Sequence, residues 1–228
     1  MSDPSNRPPS ASPPPAATSR LPPDDSIRRR VKGEIRKRMR GLRNTLPADA
    51  CAKRSAAIID RLLAHPALAT ARRVALFWPI EARHEVDLRP LDAALRARGV
   101  TVAYPAIDPE TRVMDFRSGF DPSAMEEQGM GFREPPAGAT VAARGDLDVV
   151  VVPALAVDPR GHRIGYGAGF YDRALPLYAP PAVTIAVAFD FQLTAEVAVT
   201  EGDVAVQWIV TDTRTLAAEP DAEPEPGA

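Results

Sequence analysis

The amino-acid sequence predicts a single-domain α/β fold with an open, mostly parallel sheet and helices on both faces, a Rossmann-like three-layer arrangement. Short Val- and Leu-rich runs alternate with amphipathic segments along the chain. Residues 147–152 form the most apolar run and include four consecutive valines, as expected of a strand buried on both sheet faces. A glycine-rich loop follows this run and precedes a helical segment, and 228 residues suffice for one core.

The two ends of the chain differ from its middle in composition. Residues 1–25 are rich in proline and lack a continuous apolar run, so we expect a disordered arm and no export signal. Residues 217–228 alternate acidic residues with prolines, and we expect this tail to be disordered too. Residues 26–216 therefore form the predicted folded domain.

The first helix is predicted over residues 26–44, and we expect its apolar side chains to pack on the core. These apolar positions recur at three- and four-residue steps: Ile27, Val31, Ile35, Met39 and Leu42. The other face has nine basic residues and the single acid Glu34: Arg28, Arg29, Arg30, Lys32, Arg36, Lys37, Arg38, Arg40 and Arg43. We interpret residues 28–30 and 38–43 as an ordinary solvated surface.

Helices and strands alternate along the rest of the domain. Further helices are predicted at residues 47–65, 88–98 and 170–178, and strands at residues 74–78, 100–104, 113–117, 147–152, 183–189 and 206–211. Pro79 and Pro105 are expected to end the strands before them. Ligands of such sheets bind beyond the carboxyl ends of strands, where the glycine-rich loop lies.

Composition excludes several classes of protein. The formal net charge of -2 provides no global attraction to nucleic acid or anionic membranes, and no apolar run is long enough to span a bilayer. The single cysteine, Cys51, cannot form an internal disulfide, so we expect a cytoplasmic protein. The three histidines lie on different predicted elements without metal-ligand spacing.

The glycine-rich loop contains the residues from which a chemical function is predicted. Residues 161–173 have the sequence G-H-R-I-G-Y-G-A-G-F-Y-D-R, with glycines at every second position before a helix. Glycine lets backbone N–H groups approach a polyphosphate, and a helix N-terminus adds unpaired donors. Arg163 adds a cation, Phe170 and Tyr171 add flat faces, and Asp172 offers a hard oxygen ligand for Mg²⁺. The loop is neither a Walker loop nor a GxGxxG turn, so we predict another kind of ATP site.

This segment resembles the G-x-R-[LI]-G-x-G-x-G-[YF]-Y-D-R signature of 5-formyltetrahydrofolate cyclo-ligases. Residues 151–158 resemble the lead-in strand and turn of that family, and the resemblance extends to residues 77–87 and to Gly202 and Asp203. It implies an enzyme that uses ATP and Mg²⁺ to convert 5-formyltetrahydrofolate to 5,10-methenyltetrahydrofolate. The implied route passes through a phosphorylated N5-formyl intermediate and releases ADP and phosphate.

The resemblance also implies roles for individual residues. The catalytic cations would be Arg163, Lys32 and Arg36, of which Lys32 and Arg36 share one helix face. The ATP site would comprise Lys32, Gly33, Glu34, Ile35, Arg36, Arg163, Ile164, Gly165, Tyr166, Gly167, Ala168, Gly169, Phe170 and Tyr171. The folate would contact Trp78, Glu85, Tyr166, Gly167, Ala168, Gly169 and Phe170, and Mg²⁺ would bind Asp172 and Asp203.

Two of these roles have structural alternatives: Trp78 is equally consistent with an ordinary core residue, and Glu85 with a surface carboxylate. The sequence departs from the family pattern at Ala168, where many relatives have lysine, and at Gly202 and Gln207 near Asp203. We expect a monomer whose partner is the small-molecule folate, without nucleic acid or membrane.

Two other classes of function remain open at this point. A related α/β sheet could serve a sugar-phosphate isomerase or an acyl-CoA transferase, which would need a catalytic glutamate or an acid/base pair beside the loop. Alternatively, the basic first helix could make the chain a non-catalytic RNA-binding module.

Overall fold

The computed structural model of the chain describes residues 25–108, 110–128 and 131–219. Residues 1–24 and 220–228, most of the two predicted tails, lie outside the described residues. Five α-helices are present in the described part: α1 (Asp25–Asn44), α2 (Ala48–Leu63), α3 (Pro66–Thr70), α4 (Arg89–Ala97) and α5 (Phe170–Tyr178). In the same part of the chain, no helix is both long and apolar enough to cross a lipid bilayer.

Within the described ranges, eight strands form the main sheet, and four short ones form two small ribbons. The main-sheet strands are β1 (Arg73–Ala75), β2 (Thr101–Ile107), β3 (Met114–Ser118), β6 (Thr140–Val141), β7 (Val149–Pro153), β10 (Val183–Val187), β11 (Trp208–Val210) and β12 (Thr215–Ala217). The ribbons pair β4 (Glu126–Glu127) with β5 (Arg133–Glu134) and β8 (Ala156–Val157) with β9 (Arg163–Ile164).

The main sheet is parallel at its centre and antiparallel at both edges. Its order is β12-β11-β10-β7-β1-β2-β3-β6, and the five strands from β11 to β2 are parallel. Val74 of β1 is in register with Val102 of β2 and Val149 of β7. The predicted open, mostly parallel sheet is therefore confirmed, with residues 147–152 at its centre.

Helices cover both faces of the sheet because successive strand residues point to opposite sides. On one face, α2 and α4 pack through Leu62 and Leu91 against Val149 and Val151. On the other face, α5 packs against the intervening strand residues, including Val150. The continuous apolar run in β7 is explained by this burial on both sides.

The predicted strand boundaries differ from the structure by up to three residues, and two of the differences have a clear physical reason. The strand predicted at residues 74–78 ends at Ala75, although Leu76 N still donates to Ala103 O at 2.9 Å. Pro105 does not end β2, which continues to Ile107. The backbone C=O of Ala103 points towards β1, so the backbone nitrogen of Pro105, two residues further on, points to the same side. At that level β1 has already ended. The missing N–H of Pro105 therefore removes no hydrogen bond from the sheet.

The folded part also extends beyond its predicted end at residue 216. Ala217 is the last residue of β12, and Ala218 N donates to Gln207 O at 2.8 Å. Glu219 N donates to Pro159 O at 3.0 Å. These backbone bonds, and not apolar burial, hold residues 217–219, so their local sequence did not indicate that they belong to the folded part.

The helix α1 presents a different face to the protein from the one that its apolar spacing predicts. The prediction that the apolar positions pack was wrong for three of them, which are exposed: Ile27, Val31 and Leu42. The buried residues of α1 are Lys32, Met39 and Arg43. The helix lies beside the carboxyl ends of the strands, where its neighbours include carboxylates and backbone carbonyls. Polar contacts therefore decide which face points inward.

Candidate functional site

A cavity of about 790 Å³ lies at the carboxyl ends of β1, β2 and β7 and is bounded by α1 and the glycine-rich loop. Its volume is in the range of small-molecule sites. Among the described residues, its walls have seven cationic side chains: Arg29, Lys32, Arg36, Arg83, Arg133, Arg163 and Arg173. Only four acidic side chains of the described part of the chain line it: Glu85, Asp172, Glu201 and Asp203. The excess of positive charge favours an anionic ligand.

The segment between β7 and α5 brings the glycines to this cavity. Asp158, which is fully buried, accepts hydrogen bonds from His162 N at 3.0 Å and Val197 N at 2.9 Å. These bonds fix the turn between β8 and β9. The chain then runs along the cavity from Gly165 to Gly169 and enters α5.

The segment from Gly165 to Gly169 forms a glycine turn, which exposes backbone N–H groups to the cavity. Gly167 has φ +105°, a conformation that a residue with a side chain rarely adopts. Gly169 is the N-cap of α5 and provides no side-chain hydrogen bond to its first turn. The first N–H groups of α5 therefore have no capping partner, and phosphate or carboxylate oxygens are suitable acceptors.

Two cations of α1 line the cavity, and one of them contacts the glycine turn directly. Lys32, only 5% exposed, donates from Nζ to Thr200 Oγ1 at 2.8 Å and forms a close ion pair with Asp203. Arg36 Nε donates to Gly165 O at 2.9 Å. Burial raises the pKa of Asp203, but hydrogen bonds from Lys32 and from Thr200 N outweigh burial and hold this pKa below its usual value. Asp203 is therefore ionised at neutral pH.

Arg163 organises the acidic side of the cavity. Its Nη1 donates to Val204 O at 2.6 Å, and its Nη2 donates to Asp172 Oδ1 at 3.0 Å. Val204 N also donates to Asp172 Oδ1, at 3.3 Å. Arg163 is thus held by protein acceptors on the cavity wall and connects α5 to the segment that carries Asp203.

The two predicted metal ligands, Asp172 and Asp203, both line the cavity. Within the described residues, every hydrogen bond to the Asp172 carboxylate goes to Oδ1, and every one to the Asp203 carboxylate goes to Oδ2. Asp172 Oδ2 and Asp203 Oδ1 therefore accept none. No group of three or more His, Cys, Asp or Glu side chains that could hold a metal occurs in that part of the chain. Each of the two carboxylates has one oxygen without a hydrogen bond, which suits Mg²⁺, an ion that commonly takes one or two carboxylates and completes its shell with water and phosphate oxygens.

A second cluster joins α1 to the loop after β1. Tyr166 Oη donates to Glu85 Oε1 at 2.5 Å, and Ile80 N donates to Glu85 Oε2 at 2.9 Å. Arg43 Nη2 makes a short hydrogen bond to Tyr166 Oη, and Arg83 lies over the Tyr166 ring at 4.7 Å from its centroid. Burial, and then the charge of Glu85, raises the pKa of Tyr166 to about 12. The tyrosine therefore remains a hydrogen-bond donor at neutral pH.

An aromatic wall lies next to this cluster. The half-buried Trp78 lines the cavity, and its ring meets Tyr104 edge-on with centroids 5.8 Å apart. Tyr104 Oη donates to the buried Asp92 at 2.8 Å, which fixes the supporting ring. Trp78 is thus both packed against the core and available to a flat ligand.

Most of the predicted site residues meet at this one cavity. Its walls include the catalytic candidates, both metal candidates, Trp78, Glu85, and residues 165–171. Four members of the predicted ATP set do not line it: Gly33, Glu34, Ile35 and Ile164. Glu34 is exposed, and Ile35 packs against the small apolar cluster in which Ile164 is buried with Met39.

Three cavity or cavity-side residues were missed because α1 was interpreted as solvated outside Lys32 and Arg36. Arg28 Nη1 donates to Val199 O at 2.7 Å, Arg29 lines the cavity, and Arg43 is 3% exposed in the Tyr166 cluster. Arg28 lies four residues before Lys32 and Arg43 seven residues after Arg36. Helical spacing alone would have assigned Arg28 and Arg43 to the same face.

Comparisons with known proteins point to one family. A family model described as the 5-formyltetrahydrofolate cyclo-ligase family matches residues 28–212. The chain is 42% identical over 100 residues to a 5-formyltetrahydrofolate cyclo-ligase of Mycolicibacterium smegmatis, an alignment covering 43% of this chain and 52% of that protein. It is 29% identical over 157 residues to the Escherichia coli K12 protein of the same description, covering 68% of this chain and 85% of the relative.

Solved structures agree with the fold. The NMR structure of Aquifex aeolicus 5,10-methenyltetrahydrofolate synthetase superposes with a TM-score of 0.72 at 26% identity, covering 86% of this chain and 96% of that one. A 5,10-methenyltetrahydrofolate synthetase from Mycoplasma pneumoniae superposes with a TM-score of 0.65, covering 79% of this chain and 98% of that one. Its identity of 20% supports the fold alone.

Proposed function

Because this chain belongs to the 5-formyltetrahydrofolate cyclo-ligase family, we propose that it converts 5-formyltetrahydrofolate to 5,10-methenyltetrahydrofolate, with ATP as co-substrate and Mg²⁺ as cofactor. One observation carries the proposal. One cavity is lined by the glycine turn, the uncapped start of α5 and the cations Lys32 and Arg36, and also by Trp78 and Glu85. A polyanion and a flat heterocycle therefore have adjacent subsites.

The reaction needs activation of a poor electrophile. The N5-formyl oxygen forms a bond to the γ-phosphorus of ATP while the bond from that phosphorus to the ADP oxygen breaks. N10 then attacks the formyl carbon and loses its proton, and inorganic phosphate leaves with the former formyl oxygen. No protein nucleophile is required, which agrees with a site built from cations and backbone donors.

The protein's part is to bind, orient and neutralise charge. Lys32, Arg36 and the amides of the glycine turn would hold the phosphates. Bound Mg²⁺ would supply charge neutralisation at the phosphate oxygens, with Asp172 and Asp203 as its protein ligands. Arg163 fixes the position of Asp172 and of the Val204 backbone.

The proposed pterin subsite includes the Tyr166 cluster. Glu85 has its carboxylate fixed by Tyr166 and Ile80 N, so it is oriented to accept hydrogen bonds from the amino-pyrimidine edge of a pterin. Trp78 offers the ring face beside it. The cytoplasmic location and monomeric state expected from the sequence stay predictions.

The other two classes of function have less support. Arg28, Lys32, Arg36 and Arg43 make internal contacts, so the basic stripe of α1 is not a continuous outer surface for RNA. For an isomerase or transferase, the glutamate nearest the loop is Glu85, which is held by two donors. Neither arrangement explains the glycine turn.

The direct test measures formation of methenyl absorbance by purified protein with 5-formyltetrahydrofolate, ATP and Mg²⁺. We expect turnover that needs all three components. Replacing Arg163 by alanine should lower kcat by about 10²-fold, because Asp172 and Val204 lose their shared anchor. Turnover in wild type that is unaffected by omission of ATP would contradict the proposed function.

Arg163→Lys separates charge from geometry. Lysine keeps the positive charge, but its single ammonium cannot reproduce two hydrogen bonds in the planar geometry of a guanidinium. We therefore expect Arg163→Lys to stay within about tenfold of Arg163→Ala. Near-complete recovery in Arg163→Lys would instead assign Arg163 a role as a simple cation.

A second variant tests the folate end. Tyr166→Phe removes the hydroxyl between Arg43 and Glu85, so we expect KM for 5-formyltetrahydrofolate to rise about fivefold to tenfold with a smaller change in kcat. Tyr178→Phe is the matched control, since Tyr178 is buried against Phe116 away from the cavity. A Tyr166→Phe enzyme that changes the KM of ATP and not that of the folate would place the cluster in the nucleotide subsite.

A further inference from the structure

Residues 200–203 form a turn that ends at Asp203, one of the two proposed ligands of Mg²⁺. Asp203 N donates to Thr200 O at 3.1 Å, which closes the turn. Gly202, its third residue, has φ +85°, a conformation that some four-residue turns require and that glycine adopts readily. The backbone therefore brings the side chain of Thr200 next to that of Asp203.

Thr200 contacts the carboxylate of Asp203 twice. Thr200 N donates to Asp203 Oδ2 at 2.7 Å, and Thr200 Oγ1 donates to the same oxygen at 3.1 Å. From the described residues, Asp203 Oδ1 accepts no hydrogen bond. Both donors of Thr200 thus hold one oxygen of the carboxylate and leave the other to a ligand.

The Thr200 hydroxyl also joins Asp203 to Lys32. Its oxygen accepts from Lys32 Nζ at 2.8 Å while its proton is donated to Asp203. A hydroxyl has one proton and two lone pairs, so the two bonds are compatible. Lys32 also pairs directly with Asp203. An ammonium has three N–H groups, so these two contacts leave Lys32 one N–H for an oxygen of a bound phosphate.

The backbone is anchored on both sides of the turn. Directly before it, Arg28 Nη1 donates to Val199 O at 2.7 Å. Directly after it, Val204 N donates to Asp172 Oδ1 at 3.3 Å, and Arg163 Nη1 donates to Val204 O at 2.6 Å. None of these bonds involves the Thr200 hydroxyl. Removing that hydroxyl should therefore change the contacts of Asp203 while the turn keeps its place.

We propose that Thr200 is a positioning residue, whose hydroxyl holds Asp203 Oδ2 so that Oδ1 stays available to Mg²⁺ while Lys32 contacts the phosphates. Thr200, Lys32 and Asp203 all line the cavity. A hydrogen bond that orients a metal ligand commonly changes metal affinity or activity by about 10-fold to 100-fold. This inference rests on the proposed function, because it takes Mg²⁺ and a nucleotide as ligands of the cavity.

The test measures the Kd of ADP by calorimetry, once with excess Mg²⁺ and once with EDTA, so that no turnover is needed. In wild type we expect Mg²⁺ to lower this Kd by about tenfold or more. Thr200→Val removes the hydroxyl at nearly constant volume. Its ratio of the two Kd values should fall to about twofold, while its Kd in EDTA stays within about twofold of wild type. Thr200→Ser keeps the hydroxyl and should keep the wild-type ratio.

The matched control is Thr194→Val, which should keep the wild-type ratio. Thr194 is half-buried like Thr200, and its hydroxyl donates to Val157 O at 3.4 Å, but it does not line the cavity.

Three results would overturn the proposal: a wild-type ratio near one, a full ratio in Thr200→Val, or an equal loss of ADP affinity with Mg²⁺ and with EDTA. The last result would mean that the hydroxyl serves the phosphates or the fold instead of the metal ligand. Absence of ADP binding in both buffers would overturn this proposal and ATP as co-substrate together. If ADP binds but 5-formyltetrahydrofolate is not converted, the proposed function fails, while the ADP titrations still decide the role of Thr200.

Discussion

Replacing Lys32 by methionine is expected to lower kcat/KM by about 10³-fold, equivalent to about 4 kcal/mol of transition-state stabilisation. Methionine keeps most of the stem but removes the ammonium that contacts Thr200 and Asp203. The variant would lose a cation facing the phosphates and leave Asp203 without its partner. Steady-state kinetics with varied ATP, alongside thermal unfolding, would measure both effects.

The matched control for this variant is Lys37→Met. Lys37 is on the same helix but is exposed, so its substitution should leave kcat/KM within about twofold of wild type. Lys32→Arg should recover part of the activity because it restores the charge. If Lys32→Met retained activity within threefold of wild type at every ATP concentration, Lys32 would have no role in phosphate binding.

The same variant has a consequence for pH dependence. The folded-state pKa of Asp203 is lowered, so its contribution to stability is present above its unfolded pKa and is lost as pH falls through the lowered folded value. Lys32→Met removes the main cause of this lowering. The stability difference between wild type and variant should therefore be largest at neutral pH and should shrink below about pH 4.

Gly161→Ala is expected to destabilise the fold by about 3 to 5 kcal/mol. Gly161 has φ +84°, which already disfavours alanine. A Cβ atom there would overlap the carbonyl oxygen of Val206 and lie 3.0 Å from the Cβ of Ala218. Val206 N donates to Gly161 O at 2.9 Å, so relief of the overlap would also break this bond. Urea unfolding would measure the loss.

Gly99→Ala separates the cost of the left-handed backbone from the cost of the steric overlap. Gly99 has φ +78°, but a Cβ atom there would have no neighbour within 4 Å. It should cost only about 1 to 2 kcal/mol, the penalty of the left-handed backbone alone. Equal losses in Gly161→Ala and Gly99→Ala would mean that the Val206 segment moves away freely and that its contact with the β8–β9 turn contributes little.

Much of the fold follows from local sequence patterns. The four valines from Val149 to Val152 predict a strand that is buried on both sides. The two helices with apolar stripes, α2 and α4, begin and end close to their predicted limits. The glycine turn was also identifiable, because Arg163, Tyr171 and Asp172 flank the alternating glycines before a helix. These features depend on residues that are neighbours in the chain.

The features that the sequence did not reveal depend on distant partners. The inward face of α1 is set by Val199, Asp203 and Gly165, which lie more than 120 residues away. Apolar periodicity therefore selected Ile27 and Leu42, which are exposed. Pro105 was misinterpreted for a similar reason, since only the early end of β1 makes its missing donor harmless.

The inverted face of α1 has a consequence for how the cavity opens. Met39 is the only apolar side chain of α1 that is fully buried, among residues 25–44, so charged and polar contacts hold much of this helix in position. Binding of an anion between Lys32 and Arg36 would favour the docked helix over an undocked one by mass action. Assembly of the cationic wall and occupancy of the cavity are therefore thermodynamically linked.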